Sequence, residues 1–425
     1  MSLSQTAHAD RITTDLPLAR IALLGCGTVG SGVAQLLLDD ASSLRARSGL
    51  GIAFAGIAVR SLQRLRAGSI PRDLLTDDAI ALVDDPGVDL VIECIGGVGI
   101  ARDLVERALL SGKHVVTANK DLLATHGPRL RALALEGGVL LAYEAAVGGA
   151  IPIVRTIATA LAGETILEVG GVLNGTTNFI LGRMGAGDSY GEALAEAQRL
   201  GFAEADPHAD VAGIDAAHKL AILAQLAFGR AVTTPDIARA GIESVSREDL
   251  SLAKRLGLNV KLLAVARANE AIVTPAYVPC EHAFAEPRGA GNCIRVVGRS
   301  AGSLTFSGLG AGGPPTASAV IADVVAALRR MAAGRTTDTL DAPLRDAGRL
   351  RPLVLRSLVR LGSLADIRPA YAALAAAGVA SDTFAGIPAL ATVDPRAADG
   401  ARVTALLADA ALRPASVLPL WNDLP

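Results

Sequence analysis

The chain has 425 residues, a formal net charge of −2 and a composition that is 51% hydrophobic but only 3% aromatic. That profile fits a helix-rich α/β protein of two or three domains; it is too hydrophobic for disorder and too poor in cysteine for a disulfide scaffold. The near-neutral charge balance, with no long basic stripe, excludes electrostatic capture of nucleic acid.

No run of about twenty apolar residues is free of charge, so no membrane span is expected. Residues 1–18 lack the apolar core of a signal peptide, and the cytoplasm is the expected location. The four cysteines, Cys26, Cys94, Cys280 and Cys293, form no CxxC pair, which removes zinc ribbons and redox motifs from consideration. Cys26 and Cys94 lie in apolar strand-like runs and are expected to be buried.

In chain order, "RIALLGCG" (20–27) reads as a strand ending in glycine, and "VGSGVAQLLLDD" (29–40) as a helix. "GIAFAGIAVR" (51–60) and "VDLVIECIGG" (88–97) are further strands; the second is nearly all apolar, as suits a strand buried on both faces. A helix over 102–110, a strand over 113–118, a helix over 122–135 and a strand over 139–145 follow. Repeated βαβ units of this kind predict a Rossmann-type parallel sheet with right-handed crossovers over 18–145.

After Glu144 the chain becomes glycine-rich and meets Pro152, which marks a boundary. Strands are expected at 166–174, 271–279, 293–300 and 303–310, with helices at 190–200, 211–228 and 247–256. They predict a second α/β domain over 146–307 with a mixed or antiparallel sheet. A glycine-rich turn then feeds a long helix, and residues 308–331 are expected to complete the first domain. Residues 332–343 read as a linker. The remainder, 345–425, has the order βαββαβ of a ferredoxin-like domain.

"GCGTVG" places Gly25, Gly27 and Gly30 in G-x-G-x-x-G spacing between a strand and a helix, with Thr28 and Val29 inside it. Gly25 permits the tight turn, Gly27 lets the backbone approach a pyrophosphate and Gly30 allows close helix–strand packing. The helix N-terminus offers free N–H groups to the phosphates. The second strand ends without the acid that would hold a ribose 2′-hydroxyl; it ends instead in Arg60, followed by Arg64 and Arg66. A guanidinium at Arg60 suits a 2′-phosphate, so NADP(H) is expected in preference to NAD(H), although a solvated basic loop would look the same.

Lys120 follows a strand end, where doubly wound sheets line their ligand crevice; an ordinary loop lysine could stand there too. Asp215 and Lys219 lie four residues apart on one helix face that continues into Ile222 and Leu223. A surface pair at that spacing would contribute only about 0.3–0.5 kcal/mol. A desolvated pair would keep the ammonium charged and aimed, ready to donate a proton to an oxygen that gains charge. Glu204, Asp206 and Asp210 supply acceptors suited to a substrate ammonium. His208 and His218 match no zinc spacing, and His218 is expected to pack or bond locally. Asn174, Thr176, Thr177 and Asn178 form a polar knot that either caps a helix or lines a pocket.

Six stretches, "GCGTVG", "GKHVVTANKDLLA", "EAAVGGAIPI", "LNGTTNFIL", "GFAEADPHADVAGIDAAHKLAILA" and "GAGGPPTASAV", occur in the order and spacing of one family, and the chain resembles a homoserine dehydrogenase across most of 18–330. The resemblance implies NAD(P)-dependent interconversion of L-aspartate 4-semialdehyde and L-homoserine on the route to threonine and methionine. It implies Lys219 as proton donor, Asp215 as its orienting partner and Lys120 as a second catalytic lysine. Glu204 would hold the substrate amino group with Asp210, Thr176 and Asn174 nearby, and the turn at Gly310–Gly312 would close over the cofactor. Glu144 with the carbonyls of Val147, Gly149 and Ile151 resembles the family's monovalent cation site, usually sodium. A homodimer or higher homo-oligomer is implied as well.

Two departures stand out. Leu309 replaces a common proline. In the C-terminal segment, which is otherwise similar to an amino-acid-binding ACT domain, "RLGSLADI" (360–367) replaces the usual D-x-P-G-V-L turn, so feedback by threonine is not expected. Other classes compatible with the first domain are a different NAD(P)-linked amino-acid or aldehyde oxidoreductase, and a non-catalytic amino-acid sensor. An aldehyde-oxidising, acyl-phosphate-forming enzyme would need a nucleophilic cysteine, and neither Cys26 nor Cys94 has a recognisable histidine partner.

Overall fold

The computed structural model describes residues 18–63, 70–334, 343–345, 350–392 and 399–421. Its first part runs β1 (Leu18–Leu24), α1 (Thr28–Asp39), α2 (Ala41–Ser48), β2 (Gly51–Ala58), β3 (Leu75–Thr76), α3 (Ala79–Asp84), β4 (Leu90–Glu93), α4 (Gly99–Leu110), β5 (His114–Thr117), α5 (Lys120–Glu136) and β6 (Leu141–Ala142). These strands form a parallel sheet in the order β3-β2-β1-β4-β5-β6, the arrangement of a dinucleotide-binding fold. Its strands are short and buried, as their unbroken apolar runs require: Val91, Ile92, Val115 and Val116 have no exposed surface.

The middle of the chain supplies β7 (Ile166–Val172), α6 (Gly175–Ala186), α7 (Tyr190–Arg199), α8 (His208–Val211), α9 (Ile214–Phe228), β8 (Ala238–Arg239), α10 (Arg247–Arg255), β9 (Leu258–Arg267), β10 (Glu270–Pro279), β11 (Gly291–Gly298), β12 (Gly302–Leu309) and α11 (Gly313–Ala332). The expected helix over 211–228 is broken at Gly213, whose φ of 74° is left-handed. A side chain there would also press on Val273, 3.1 Å from an ideal Cβ. Glycine therefore ends α8 and starts α9 in a new direction. Strand β9 was not anticipated; it forms a hairpin with β10 over ten residue pairs from Arg267↔Glu270 to Leu258↔Pro279. Its run of Leu, Val and Ala carries no period, because most of it is buried, and such a run reads equally as helix.

Helix α11 returns to the first part of the chain. Ala317, Val320, Val324 and Leu328 are buried with Ile21, Leu23, Val33 and Leu37 in one core. Each large aliphatic side chain so buried stabilises the fold by roughly 1.5–3 kcal/mol. The larger core lies on the other face of the parallel sheet and is continuous with the apolar face of α9.

The last part holds β13 (Arg356–Arg360), α12 (Ile367–Ala376), β14 (Ser381–Thr383), β15 (Ala389–Thr392), α13 (Gly400–Asp409) and β16 (Ser416–Leu420). The strand order β16-β13-β15-β14, all antiparallel, is ferredoxin-like as expected. It is joined to the middle sheet through Tyr277↔Leu420, so the ten strands form one mixed sheet, β12-β11-β7-β9-β10-β16-β13-β15-β14 with β8 beside β10. Most of the linker expected at 332–343 lies outside the described residues.

Candidate active site

The carboxyl ends of β1, β4 and β5 converge on three turns. In the first, Gly25 has a φ of 91°, and a Cβ there would lie 2.7 Å from the Cys94 carbonyl oxygen. A Cβ on Gly30 would meet the Gly25 carbonyl oxygen at 2.1 Å, so only glycine lets α1 approach the strand this closely. Gly27 is different: nothing lies within 4 Å of its missing side chain. That open space faces the start of α1, which begins at Thr28 and Val29 with no side-chain cap and no acid in its first turn. An anion fits such an end. Gly312, with a φ of 117°, precedes α11, and a Cβ on the next residue, Gly313, would meet Thr28 Cγ2 at 3.0 Å. The two glycine turns thus lie against each other.

Three residues that shape this crevice were missed in the sequence. Glu93, wholly buried at the end of β4, accepts the N–H groups of Ile95 and Gly96 at 2.7 and 3.0 Å and the Thr117 hydroxyl at 2.5 Å. Asn119 caps α5 through the N–H of Leu122 and donates to the Gly97 carbonyl at 2.7 Å. The acid in "VIECIGG" and the "TAN" before Lys120 were the available signals: polar residues at the ends of otherwise apolar strands.

Asp215 and Lys219 are not a surface pair. Each is only 7% exposed. The Lys219 ammonium donates to Asp215 Oδ2 and to the Leu173 carbonyl, both at 2.8 Å. Asn174 Nδ2 bridges Asp210 Oδ1 at 2.7 Å and Asp215 Oδ2 at 2.8 Å. Lys120 arrives from α5, with Nζ 3.4 Å from Asp215 Oδ1, and its side chain is 38% exposed. Burial would raise the Asp215 carboxyl, but the Lys219 and Lys120 ammoniums and the bonds from Lys219 and Asn174 outweigh it and hold the group well below the usual carboxylate range. Burial lowers Lys120, yet the charges of Asp215 and Asp121 prevail and raise it, so it too stays charged. Asp210 is raised by burial, against the Asn174 bond.

Other expected residues sit differently. Glu204 is exposed, and its described contact is a backbone one: Gln198 donates to its carbonyl at 3.0 Å. Asp206 caps the N–H of His208. Within the polar knot the capping reading holds for Asn174, whose Oδ1 accepts the Thr177 N–H at the start of α6 at 2.8 Å. Asn174 joins the lysine cluster, whereas Thr176 donates to the Phe202 carbonyl at 2.5 Å and Asn178 donates to the carbonyls of Pro287, Gly289 and Gly291. His218 does not bond locally; its Nδ1 lies 2.8 Å from Oδ1 of Asp121, 97 positions earlier. Helix α5 packs along α9, which brings these two distant positions together. Arg60 is exposed just beyond β2, and Arg64 and Arg66 lie outside the described residues.

Cys26 and Cys94 are half-buried rather than buried, because both fall in the turns beyond their strands. Burial of the sulfur and the neighbouring Glu93 push the Cys94 thiol up, which disfavours the thiolate a nucleophile needs.

Glu144 is buried and accepts the N–H groups of Val154 and Arg155 at 2.8 and 2.9 Å. Its own N–H donates to Asp323 of α11 at 2.7 Å, and Arg155 pairs with the same aspartate. The turn that follows is folded by Gly148 and Gly149, with φ of 76° and 57°. The Ile151 carbonyl receives the Ile153 N–H at 2.8 Å; those of Val147 and Gly149 receive no backbone N–H among the described residues.

Two family models match the chain in tandem: the NAD binding domain of homoserine dehydrogenase over residues 25–144 and homoserine dehydrogenase over residues 152–325. The homoserine dehydrogenase of Bacillus subtilis is 43% identical over 329 residues, 76% of each chain. That of Corynebacterium glutamicum is 46% identical over 324 residues, 74% of this chain and 73% of the relative. Among solved structures, a homoserine dehydrogenase from Thiobacillus denitrificans aligns with a TM-score of 0.86 at 36% identity, covering 95% of this chain and 98% of its own. A hyperthermophilic archaeal homoserine dehydrogenase in complex with NADPH aligns with a TM-score of 0.63 at 26% identity, over 73% of this chain and 97% of its own. A glycine turn built for a dinucleotide, a buried lysine–aspartate pair beside it and relatives of this identity agree: the chain belongs to the homoserine dehydrogenase family.

Proposed function

We propose that Lys219 is the proton donor in the reaction of this family, the NAD(P)-dependent reduction of L-aspartate 4-semialdehyde to L-homoserine. An ammonium has three N–H donors. Two of those on Lys219 are taken by Asp215 and the Leu173 carbonyl, and the third has no partner among the described residues. This spare donor on a buried, fixed amine is the observation that carries the assignment. The nicotinamide, when bound, supplies the hydride that reduces the carbonyl carbon. Negative charge then grows on the carbonyl oxygen, and the spare N–H of Lys219 stabilises it and delivers the proton. Asp215 keeps the amine charged and aimed. Lys120, on the cofactor half of the site, adds a second positive charge. Asp210 offers an acceptor to a substrate ammonium, with Asn174 steering its carboxylate and Thr176 holding the adjoining loop; Glu204 on the exposed rim completes that substrate-binding set when substrate is present.

Substrate-dependent oxidation of NADPH with the semialdehyde tests this directly. Lys219→Ala is expected to lose at least about a hundredfold in kcat/KM, the scale for removal of an oxyanion donor. Unchanged turnover in that variant would remove the assignment.

The finer features of the proposal rest on particular residues. NADP(H) is preferred over NAD(H) because Arg60, and no acid, follows β2. Gly25, Gly27, Thr28, Val29, Gly30 and Gly312 frame the cofactor. A monovalent cation, sodium by family resemblance, fits the Glu144 turn: a hard cation prefers oxygen ligands, and the buried carbonyls of Val147 and Gly149 lie next to a buried carboxylate, with Ile151 completing the turn. Exchange of sodium for a bulky organic cation should then lower activity. The chain divides into 18–145 with 308–331, 146–307 and 345–425; it acts in the cytoplasm as a homodimer or higher homo-oligomer. Among the described residues no helix is long and apolar enough to cross a membrane.

A further inference from the structure

An ion pair and a hydrogen bond join α5 to α9 at the mouth of the site. Lys120 and Asp121 are the first two residues of α5; Asp215 and His218 lie in the first turns of α9. Lys120 Nζ is 3.4 Å from Asp215 Oδ1, and Asp121 Oδ1 is 2.8 Å from His218 Nδ1. Helix α5 links β5 to β6 of the parallel sheet, whereas α9 packs on β7 and β9 of the mixed sheet. Both pairs therefore cross from the cofactor half of the molecule to the substrate half.

The polarity reverses between the two pairs. In one, α5 supplies the base and α9 the acid; in the other, α5 supplies the acid and α9 the base. A slip of one helix along the other that exchanged partners would set Lys120 against His218 and Asp121 against Asp215. Farther along, the helices are locked at short range, for a Cβ on Gly127 would meet Gln225 Oε1 at 2.9 Å. At the mouth that contact is absent and the pairs take over. The Lys120 contact is the looser of the two, made by a long side chain that is 38% exposed. The His218 side chain is only 18% exposed, and its bond holds the Asp121 carboxyl below its ordinary range. Asp121 also sits in the first turn of α5, where a negative charge meets the positive end of the helix.

We infer that His218 is a positioning residue for the reaction: by gripping Asp121 it fixes the helix end that carries Lys120 and so sets the distance between the lysine of the cofactor half and the Asp215–Lys219 pair of the substrate half. The inference rests on the assignment of Lys120 and Lys219 to the reaction. Hydride and proton must reach adjacent atoms of one carbonyl from the two halves, and a misplacement of about 1 Å can cost as much as a hundredfold in rate.

Steady-state kinetics and thermal melts of the full chain test it. His218→Leu is expected to lower kcat about tenfold while KM for semialdehyde and NADPH stays within about twofold. His218→Gln, whose amide can still donate to Asp121, should recover most of kcat. Asp121→Leu should match His218→Leu, and the double variant should be no worse than either alone. In a Lys120→Ala background, itself impaired, His218→Leu should cost less than about twofold, because its effect runs through Lys120. A folded His218→Leu protein with full kcat, or independent losses in the Lys120→Ala background, would overturn the inference while leaving the lysines in place. Normal turnover in Lys120→Ala alone would instead strike the assignment of Lys120, and the inference with it.

Discussion

Asp249 and Asp215 are both buried in polar clusters, and the contrast between them is instructive. Asp249 is wholly buried and accepts from Arg360 at 2.8 Å, from Tyr277, from the Ser416 hydroxyl, and from the N–H and hydroxyl of Ser246 at 3.0 and 2.7 Å. Its donors come from α10's cap, β10, β13 and β16. Asp215 receives Lys219, Asn174 and Lys120, of which Lys120 is partly exposed and Lys219 keeps an N–H in reserve. Both carboxyls are held below the ordinary range. A shifted carboxylate therefore does not by itself distinguish a brace from a reacting centre. The difference lies in access: the Arg360 side chain that meets Asp249 is 18% exposed, whereas the Lys120 side chain that meets Asp215 is 38% exposed, so the second cluster opens outward.

Substitutions at the two sites should separate on this basis. Asp215→Asn is expected to lower kcat on the order of a hundredfold, because Lys219 loses the charge that aims it; a loss under about threefold would make Asp215 a second brace. Asp249→Ala should do the reverse. It leaves Arg360 uncompensated and should cost about 3–5 kcal/mol of stability in denaturant titrations, with kcat per folded molecule nearly unchanged. Arg60→Asp, which touches neither cluster, should weaken NADPH binding roughly tenfold more than NADH binding, by about 1.4 kcal/mol; equal losses would contradict the 2′-phosphate contact.

The pH response gives a finer measure. The Asp215 carboxyl is lower in the folded chain than in the unfolded one, so its stabilisation is fully present above the ordinary aspartate range and is lost as pH falls through the folded value. The melting-temperature gap between the parent chain and Asp215→Asn should therefore narrow below about pH 4. The smallest effect is expected at Thr176. Thr176→Val removes one bond to the Phe202 carbonyl and should cost about 0.5–1.5 kcal/mol, with KM for semialdehyde little altered if the hydroxyl only latches the loop. A large rise in KM would make Thr176 a substrate ligand.

Local signals carried much of this architecture into view. The strands of the parallel sheet are short apolar runs ended by glycine or by a polar residue, and the α1 turn is written in three glycines whose spacing is itself the mechanism. The βαββαβ order of the last part survived the loss of the usual turn because apolar periodicity, not the turn, defines it. Strand β9 escaped because burial on both faces erases the alternation that marks a strand. Lys219 and Asp215 could be paired from helical spacing alone, but their burial could not, since it depends on Leu173, Asn174 and α5. The His218–Asp121 bond has no sequence signature at all: nothing in a chain announces that positions 121 and 218 will face each other across two packed helices.

The single backbone pairing Tyr277↔Leu420 has a practical consequence. Strand β16 is an interior strand: one side faces β10 and the other pairs with β13 over five positions. A chain cut before the ferredoxin-like part would bare the flank of β10 together with the apolar surface now covered by Trp421, which is 3% exposed. Unpaired strand flanks recruit other chains, so such a truncation should be sticky and prone to aggregate even where its two remaining sheets fold and its lysine cluster is intact.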